Sequence, residues 1–239
     1  MNDCIILTFT DSKYLEIFNI FYNNFKKLNL DLLVVSLDDI AFNSLSERGI
    51  KTIYKQYEIN DLKSFWEFRL NIINETFKEN KKNIIHTDSD CFWFKNILEK
   101  INDIKDDYDI IGSIAYGLPK NIVDKMGFVL CCGFYFIKYT EKNSSIFDKI
   151  KMEKISSIDD QILFNNYLYN NKIRIENTDN GIIYKTIVLN DDTKVGIVKN
   201  DIISRIYSKD LYCFHPCLKR GTISEKILRL KSMAEEPFL

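Results

Sequence analysis

The sequence predicts a mixed α/β fold in a single domain, and three observations carry that prediction. Short apolar runs rich in β-branched residues alternate with stretches whose apolar residues recur at helical spacing. Over the first ninety residues the order is β-α-β-(α)-β-α-β, which builds a parallel sheet with helices on both faces. The 239 residues contain only 3 Pro, no composition shift and no low-complexity linker, so residues 1–239 offer no boundary at which to divide them.

Each element has its own reason. Residues 4–10 (CIILTFT) form a short apolar run that reads as a buried strand, and Asp11 or Ser12 can cap the helix that follows. In that helix Leu15, Phe18, Ile20, Phe21, Tyr22 and Phe25 keep helical spacing, and Lys26 and Lys27 suit its C-terminal end. Residues 31–39 (DLLVVSLDD) are a second buried strand and 49–57 (GIKTIYKQY) a third. A long amphipathic helix is expected from about Leu62 to Lys78, followed by 83–94 (NIIHTDSDCFWF), an apolar run interrupted by acids. Further strands are expected at 109–117 and 128–138, then a helix around 141–153 and a turn with an acidic helix start over 155–170. Short strands separated by Asn/Asp/Gly turns fill 172–199. Residues 212–221 (YCFHPCLKRG) and a basic helix over 224–231 close the chain.

Composition excludes several functions. With 33 basic and 34 acidic residues, no net field argues for nucleic acid or an anionic membrane as partner. No apolar run approaches the roughly 18–20 residues of a membrane span, and the N-terminus lacks a basic signal-peptide region, so a soluble, cytoplasmic protein is expected. The six cysteines (4, 91, 131, 132, 213, 217) lie mostly in strand-like runs and read as reduced core thiols. Only 8 Gly are present, and none forms a GxGxxG or GxxxxGK[ST] pattern. A dinucleotide fingerprint and a P-loop are therefore poorly supported, and any phosphate must be held by something else.

That something is Asp88-Ser89-Asp90, between Ile84-Ile85 and Phe92-Trp93-Phe94. Two carboxylates at the end of a buried strand are costly unless a cation or donors compensate them. On an extended strand residues i and i+2 share a face, so Asp88 and Asp90 could reach one ion together. Ligands of open parallel sheets bind beyond the carboxyl ends of central strands, where this pair falls. A solvated Asp-Ser-Asp turn is the plainer alternative. His86 shares the face of the two aspartates and reads as a core histidine bonded to backbone. Cys213, His215 and Cys217 alternate and could share a strand face as a zinc site, but they supply three ligands without a fourth. His215 as an ordinary loop histidine beside core cysteines is the third reading.

The strand and Thr/Ser-containing start, the helix carrying a basic residue, Asp88–Phe94 and the CGFYFIK strand at 132–138 together resemble the GT-A fold nucleotide-diphospho-sugar glycosyltransferases. So do Asp159-Asp160-Gln161 with a following Asn at 165, and the late His215-x-x-x-Lys219. The group it looks closest to is family 77-like. The resemblance implies a Rossmann-like domain with a mixed, mostly parallel central sheet flanked by helices. Its nucleotide-binding half would span about 1–117 and its acceptor and sugar half about 118–239. It implies Asp88, Asp90 and His215 as ligands of Mn²⁺ or Mg²⁺, hard cations suited to carboxylate oxygen. It places Thr8, Phe9 and Thr10 at the nucleoside, Asp38 at uracil or ribose, Arg69 and Ser89 near the diphosphate, and Lys219 on the leaving diphosphate. Gly133 would let the donor sugar or acceptor lie against the backbone. Asp160 and Gln161 would touch the donor sugar, with Asp159 as helix cap or catalytic base. The activity implied is sugar transfer from a nucleotide-diphosphate sugar, UDP-linked by preference, to a hydroxyl acceptor such as a glycan, leaning towards retention. A sugar nucleotidyltransferase is the rival, although residues 4–14 lack its Gly-rich opening. A haloacid-dehalogenase-like phosphatase would carry its DxD after the first strand rather than about the fourth. A non-catalytic nucleotide-binding or scaffold protein of this fold is the other alternative. The basic stretch from Lys219 to Lys231 could be a solvated face, a contact for an acidic partner or a lid over the donor.

Overall fold

The computed structural model describes residues 3–58, 62–153, 159–178, 180–216 and 222–235. In chain order these form β1 (Cys4–Thr10), α1 (Leu15–Phe25), β2 (Leu32–Ser36), α2 (Asp39–Glu47), β3 (Thr52–Tyr54), α3 (Leu62–Asn80), β4 (Asn83–Thr87) and β5 (Phe92–Trp93). The chain continues through α4 (Leu98–Asn102), β6 (Ile110–Ala115), α5 (Lys120–Met126), β7 (Val129–Ile137), α6 (Ile146–Lys151), α7 (Asp160–Asn171) and β8 (Lys172–Asn177). It ends with β9 (Ile183–Leu189), β10 (Lys194–Val198), β11 (Ile203–Ser204), β12 (Cys213–Phe214) and α8 (Ile223–Glu235).

Nine strands make one sheet in the order β3-β2-β1-β4-β7-β6-β10-β9-β8. The first four are parallel, as the alternation of apolar runs and helices predicts. Beyond β4 the sheet is mixed: β7 is antiparallel to both of its neighbours, β6 and β10 are parallel, and β8 and β9 return as hairpin partners. Burial explains the centre of this order. Ile84 and Ile85 of β4 and all nine residues of β7 are buried, so these strands need cover on both faces. One face packs on α3, α6 and α7 through Phe77, Phe147 and Phe164. The other packs on α1 through Phe18, Phe21 and Phe25, with Trp93 and Phe134 in the same cluster.

Strand bounds contract where the chain turns polar. The run at 31–39 ends as a strand at Ser36 because Asp38 caps α2, its Oδ1 accepting from the Ala41 amide at 2.8 Å. The expected strand at 49–57 survives only as Thr52–Tyr54, since it lies on the sheet's edge with one neighbour. Two short helices, α4 and α5, add to the expected elements; at five and seven residues they are too short to show a helical period. Asp159 is the cap of α7, accepting from the Gln161 amide at 2.8 Å.

A small second sheet, β11-β12-β5, sits at the carboxyl end of β4. It pairs Phe92 with Phe214 and Trp93 with Cys213, antiparallel. Trp93 anchors it, nearly fully buried, with its indole N–H donating to Thr87 Oγ1 at 3.0 Å. Helix α8 docks on α1 through Ile223, Ile227 and buried Leu230 against Ile17 and Ile20, with a Lys231–Glu16 ion pair alongside. No helix among the described residues is long and apolar enough to cross a membrane.

Candidate active site

Strand β4 stops at Thr87, and Asp88 to Asp90 form a turn closed by the Cys91 amide donating to the Asp88 carbonyl at 3.0 Å. Asp88 and Asp90 therefore converge through a turn, not through the strand alternation expected from their i, i+2 spacing. The second sheet supplies the rest. Because β5 follows the turn directly and β12 precedes His215 directly, their antiparallel pairing sets His215 beside the two aspartates. His215 Nε2 lies 3.2 Å from Asp90 Oδ1 and 3.7 Å from Asp88 Oδ2. Ligand atoms of all three lie within 4.8 Å of one another, and this is the one such group among the described residues.

The imidazole is seated against β7. The register of β6 on β7 jumps, with Gly112 facing Tyr135 and its neighbour Ser113 facing Cys131, so that β7 bulges around Gly133. The Gly133 carbonyl accepts from the Asp88 amide at 2.9 Å, which ties the bulge to the turn. A Cβ on Gly133 would overlap the His215 ring, reaching 2.8 Å from Nε2 and closer to Cε1 and Nδ1. The open space expected at Gly133 for a donor sugar or acceptor is filled by the imidazole. His215 Nδ1 in turn lies 3.2 Å from Cys131 Sγ. Burial alone would lower the His215 pKa, but Cys131 and Asp90 outweigh it and raise it well above the ordinary value. Burial likewise pushes the Cys131 thiol up, and His215 and Arg205 more than reverse this.

Arg69 braces the other side. Its buried guanidinium donates from Nη1 to Asp88 Oδ1 at 2.9 Å and from Nη2 to Asp160, and it stacks on Trp66 at 4.2 Å. Trp66 precedes it by one helical turn on α3, the spacing that puts two side chains on one face. Burial raises the Asp88 pKa, yet Arg69 and His86 overcome this and hold it well below the usual range. Asp160 is driven up by burial, only partly offset by Arg69. His86 donates from Nε2 to Asp88 Oδ1 at 3.2 Å, so its partner is the site's carboxylate and not the backbone expected from sequence. Burial keeps its pKa low, consistent with a neutral ring.

A cavity of about 300 Å³ opens on this cluster, lined by Asp88, Ser89, Asp90, Arg69, Trp66, Phe65, Phe9, Thr10, Asp11, Tyr14, Leu37 and Lys226. A second, of about 320 Å³, adjoins it through the shared Asp11 and Leu37 and carries Asp38, Tyr54, Gln56 and Tyr57. The expected residues divide accordingly. Phe9, Thr10, Arg69, Ser89 and the aspartates face the first cavity, and Asp38 faces the second. Both Asp38 oxygens already accept backbone amides, from Ser12 and Ala41, so it shapes the β1–α1 loop. Thr8 is fully buried inside the sheet and lines neither cavity. Gln161 spans from the Cys132 amide at 3.4 Å to the Leu118 carbonyl at 2.6 Å, and Asp160 is spent on Arg69, so neither faces these cavities. Lys219 lies outside the described residues. Besides Arg69, the structure brings a second cation to the cavity, Lys226 of α8, its Nζ 3.2 Å from the Tyr14 hydroxyl. Only the basic character of the terminal helix hinted at it.

The zinc reading is not supported. Cys213 packs in the apolar cluster with Cys91 and Trp93, Cys217 lies outside the described residues, and His215 turns to carboxylates instead. The five described cysteines are free thiols, as expected. Two carboxylates and one imidazole nitrogen suit a hard or borderline divalent cation, and Asp88 Oδ2, Asp90 Oδ1 and His215 Nε2 all point to one place. The donor set fits such an ion.

Comparison with known proteins agrees with this geometry. A family model described as nucleotide-diphospho-sugar transferase matches residues 28–195. Among solved structures, a glycosyltransferase involved in glycosylating the major capsid of PBCV-1 superposes with a TM-score of 0.58 at 11% identity, covering 96% of this chain and 98% of that one. The galactosyltransferase LgtC, solved with donor and acceptor sugar analogs, gives 0.53 at 11% identity over 96% and 94%. The glycosyltransferase GlyE of Streptococcus pneumoniae TIGR4 gives 0.56 at 11% identity over 99% of this chain and 61% of that one. At such identity these neighbours establish a shared fold. No curated protein sequence matches the chain.

Proposed function

The chain belongs to the nucleotide-diphospho-sugar transferase family, and from that premise we propose that it transfers a sugar from a UDP-sugar to a hydroxyl acceptor with a divalent metal's help. The acceptor we infer is a glycan. One observation carries the reading: Asp88, Asp90 and His215 converge at the carboxyl end of β4, where the two aspartates line the cavity and His215 stands beside them. That is where open α/β sheets bind ligands. Asp88, Asp90 and His215 would hold Mn²⁺ or Mg²⁺, which when bound supplies positive charge to the leaving diphosphate.

The chain's own residues do the remaining work. Arg69, fixed by Asp88, Asp160 and Trp66, keeps the Asp88 carboxylate ionised and aimed. Lys226 brings an ammonium to the same cavity and would face the departing phosphates. The adjoining cavity, with Tyr54 and Tyr57, offers aromatic faces for the nucleoside. Phe65 and Trp66 give the first cavity an apolar wall that limits water around the reacting bond. Asp159 is occupied as a cap, so its part in the site is to hold the start of α7, and with it Asp160 and Gln161. Gln161, bonded to the Cys132 amide and the Leu118 carbonyl, would act by fixing the start of α7 against the β7 bulge.

The test is UDP release from a panel of UDP-sugars, with and without Mn²⁺, in wild type and Asp90→Ala. Metal-stimulated release that the variant loses by at least about 100-fold is expected for a group that holds charge against the leaving phosphates. A wild-type protein that binds no UDP with Mn²⁺ present would sink the proposal.

A further inference from the structure

We propose that Cys131 is a positioning residue for the metal site, holding the His215 imidazole in the tautomer and rotation that present Nε2 to Asp88 and Asp90. The inference rests on the reading of His215 as a metal ligand. An imidazole offers two nitrogens, and the hydrogen bond made by one decides what the other can do. Here Nδ1 lies 3.2 Å from Cys131 Sγ while Nε2 lies 3.2 Å from Asp90 Oδ1. With Nδ1–H donating to sulfur, the Nε2 lone pair is left for a cation. Metal-bound histidines generally have such a partner at the far nitrogen, most often a carboxylate, a carbonyl or water. In this chain a sulfur takes the place.

The sulfur is itself held. Arg205 Nη1 donates to Cys131 Sγ at 3.1 Å, which leaves the sulfur held by a contact from a second direction. Cys131 is fully buried and His215 nearly so, and no solvent need share the contact. Gly133, two residues on along β7, leaves free the space that the ring occupies and that a Cβ would fill. Cys132 and Cys213 pack among apolar side chains, as Cys131 does with Ala115, Ile122 and Val129, but the Cys131 sulfur also meets His215 and Arg205. The bulge in β7 is what turns Cys131, and not Cys132, towards the histidine.

The test is Mn²⁺ titration by electron paramagnetic resonance on the full chain without nucleotide, for wild type and Cys131→Ser, Cys131→Val and Cys131→Ala. Serine keeps an acceptor, and valine keeps bulk without one. Loss of an outer partner of a metal ligand weakens metal binding by about 10–100-fold. That loss is expected in the Val and Ala variants, with Ser close to wild type. Thermal unfolding without metal shows whether each variant is folded at the titration temperature. Should Val bind Mn²⁺ as tightly as wild type, or Ser as weakly as Val, Cys131 is only packing and the proposal fails. An Asp90→Ala control that binds as wild type does would instead overturn the metal site itself.

Discussion

Gly133→Ala tests whether the seat of His215 is built as described. No left-handed backbone angle is needed at Gly133, so alanine costs nothing in the chain itself. The cost is local overlap. The added carbon would stand 2.8 Å from Nε2 and nearer to Cε1 and Nδ1, where ordinary contact begins at 3.4 Å. To regain a separation of about 3.5–4.0 Å the ring must retreat by more than about 1 Å. It has little room to do so, because Cys131 and Asp90 hold its two nitrogens and the residue is 7% exposed. Overpacking of this kind typically costs about 1–3 kcal/mol. Removing the ring should remove the cost. A double-mutant cycle with His215→Ala, followed by urea unfolding in metal-free buffer, therefore measures the overlap directly. Gly133→Ala is expected to destabilise the wild-type background by about 1–3 kcal/mol and the His215→Ala background by under about 0.5 kcal/mol. Equal costs in both backgrounds would refute the reasoning, since the penalty would then arise elsewhere on β7.

Two further outcomes follow from the ion pairs, one buried and one partly exposed. Arg69→Met leaves the Asp88 and Asp160 carboxylates without their shared cation, and breaking such a buried pair costs about 3–5 kcal/mol; a loss below about 1 kcal/mol in urea unfolding at neutral pH would contradict this account of the brace. At the β9–β10 turn, burial pushes the Asp191 carboxyl up, but Lys149 and Thr193 outweigh it and hold its pKa at about 2. A lowered folded-state pKa gives stability that is present above the unfolded value near 3.8 and fades as pH falls towards 2. Lys149 is 40% exposed, so solvent screening limits the pair to under about 1 kcal/mol. Asp191→Asn should therefore be slightly less stable at pH 7 and match wild type near pH 2, as followed by circular dichroism melts.

Much of the architecture is legible in the sequence. The strands β1, β2, β4 and β7 are apolar runs because both of their faces are covered, and the helical spacing of α1 and α3 follows from one buried face each. The cap at Asp159 sits where a carboxylate precedes a helical pattern, whereas Asp38, expected at uracil or ribose, is a cap that the structure shows. Helices α4 and α5 escaped notice because they are too short to show a period. Sheet order is not encoded in periodicity at all, so the antiparallel insertion of β7 between β4 and β6 was invisible.

For the site, the sequence by itself determined the aspartates. Asp88 and Asp90 stand out locally, as acids between apolar residues, because desolvation makes them costly in any fold that buries the flanks. It also singled out His215 and Arg69, which the family resemblance placed near them. What only the tertiary structure decided is how these groups meet. Phe92 pairs with Phe214 across 122 positions of chain, the β7 bulge puts Cys131 and Gly133 under the imidazole, and α8 folds back to bring Lys226 to the cavity. Each depends on strand register or helix docking between distant segments. A residue's own neighbours in sequence carry no information about that pairing, which is set by the packing of the whole sheet.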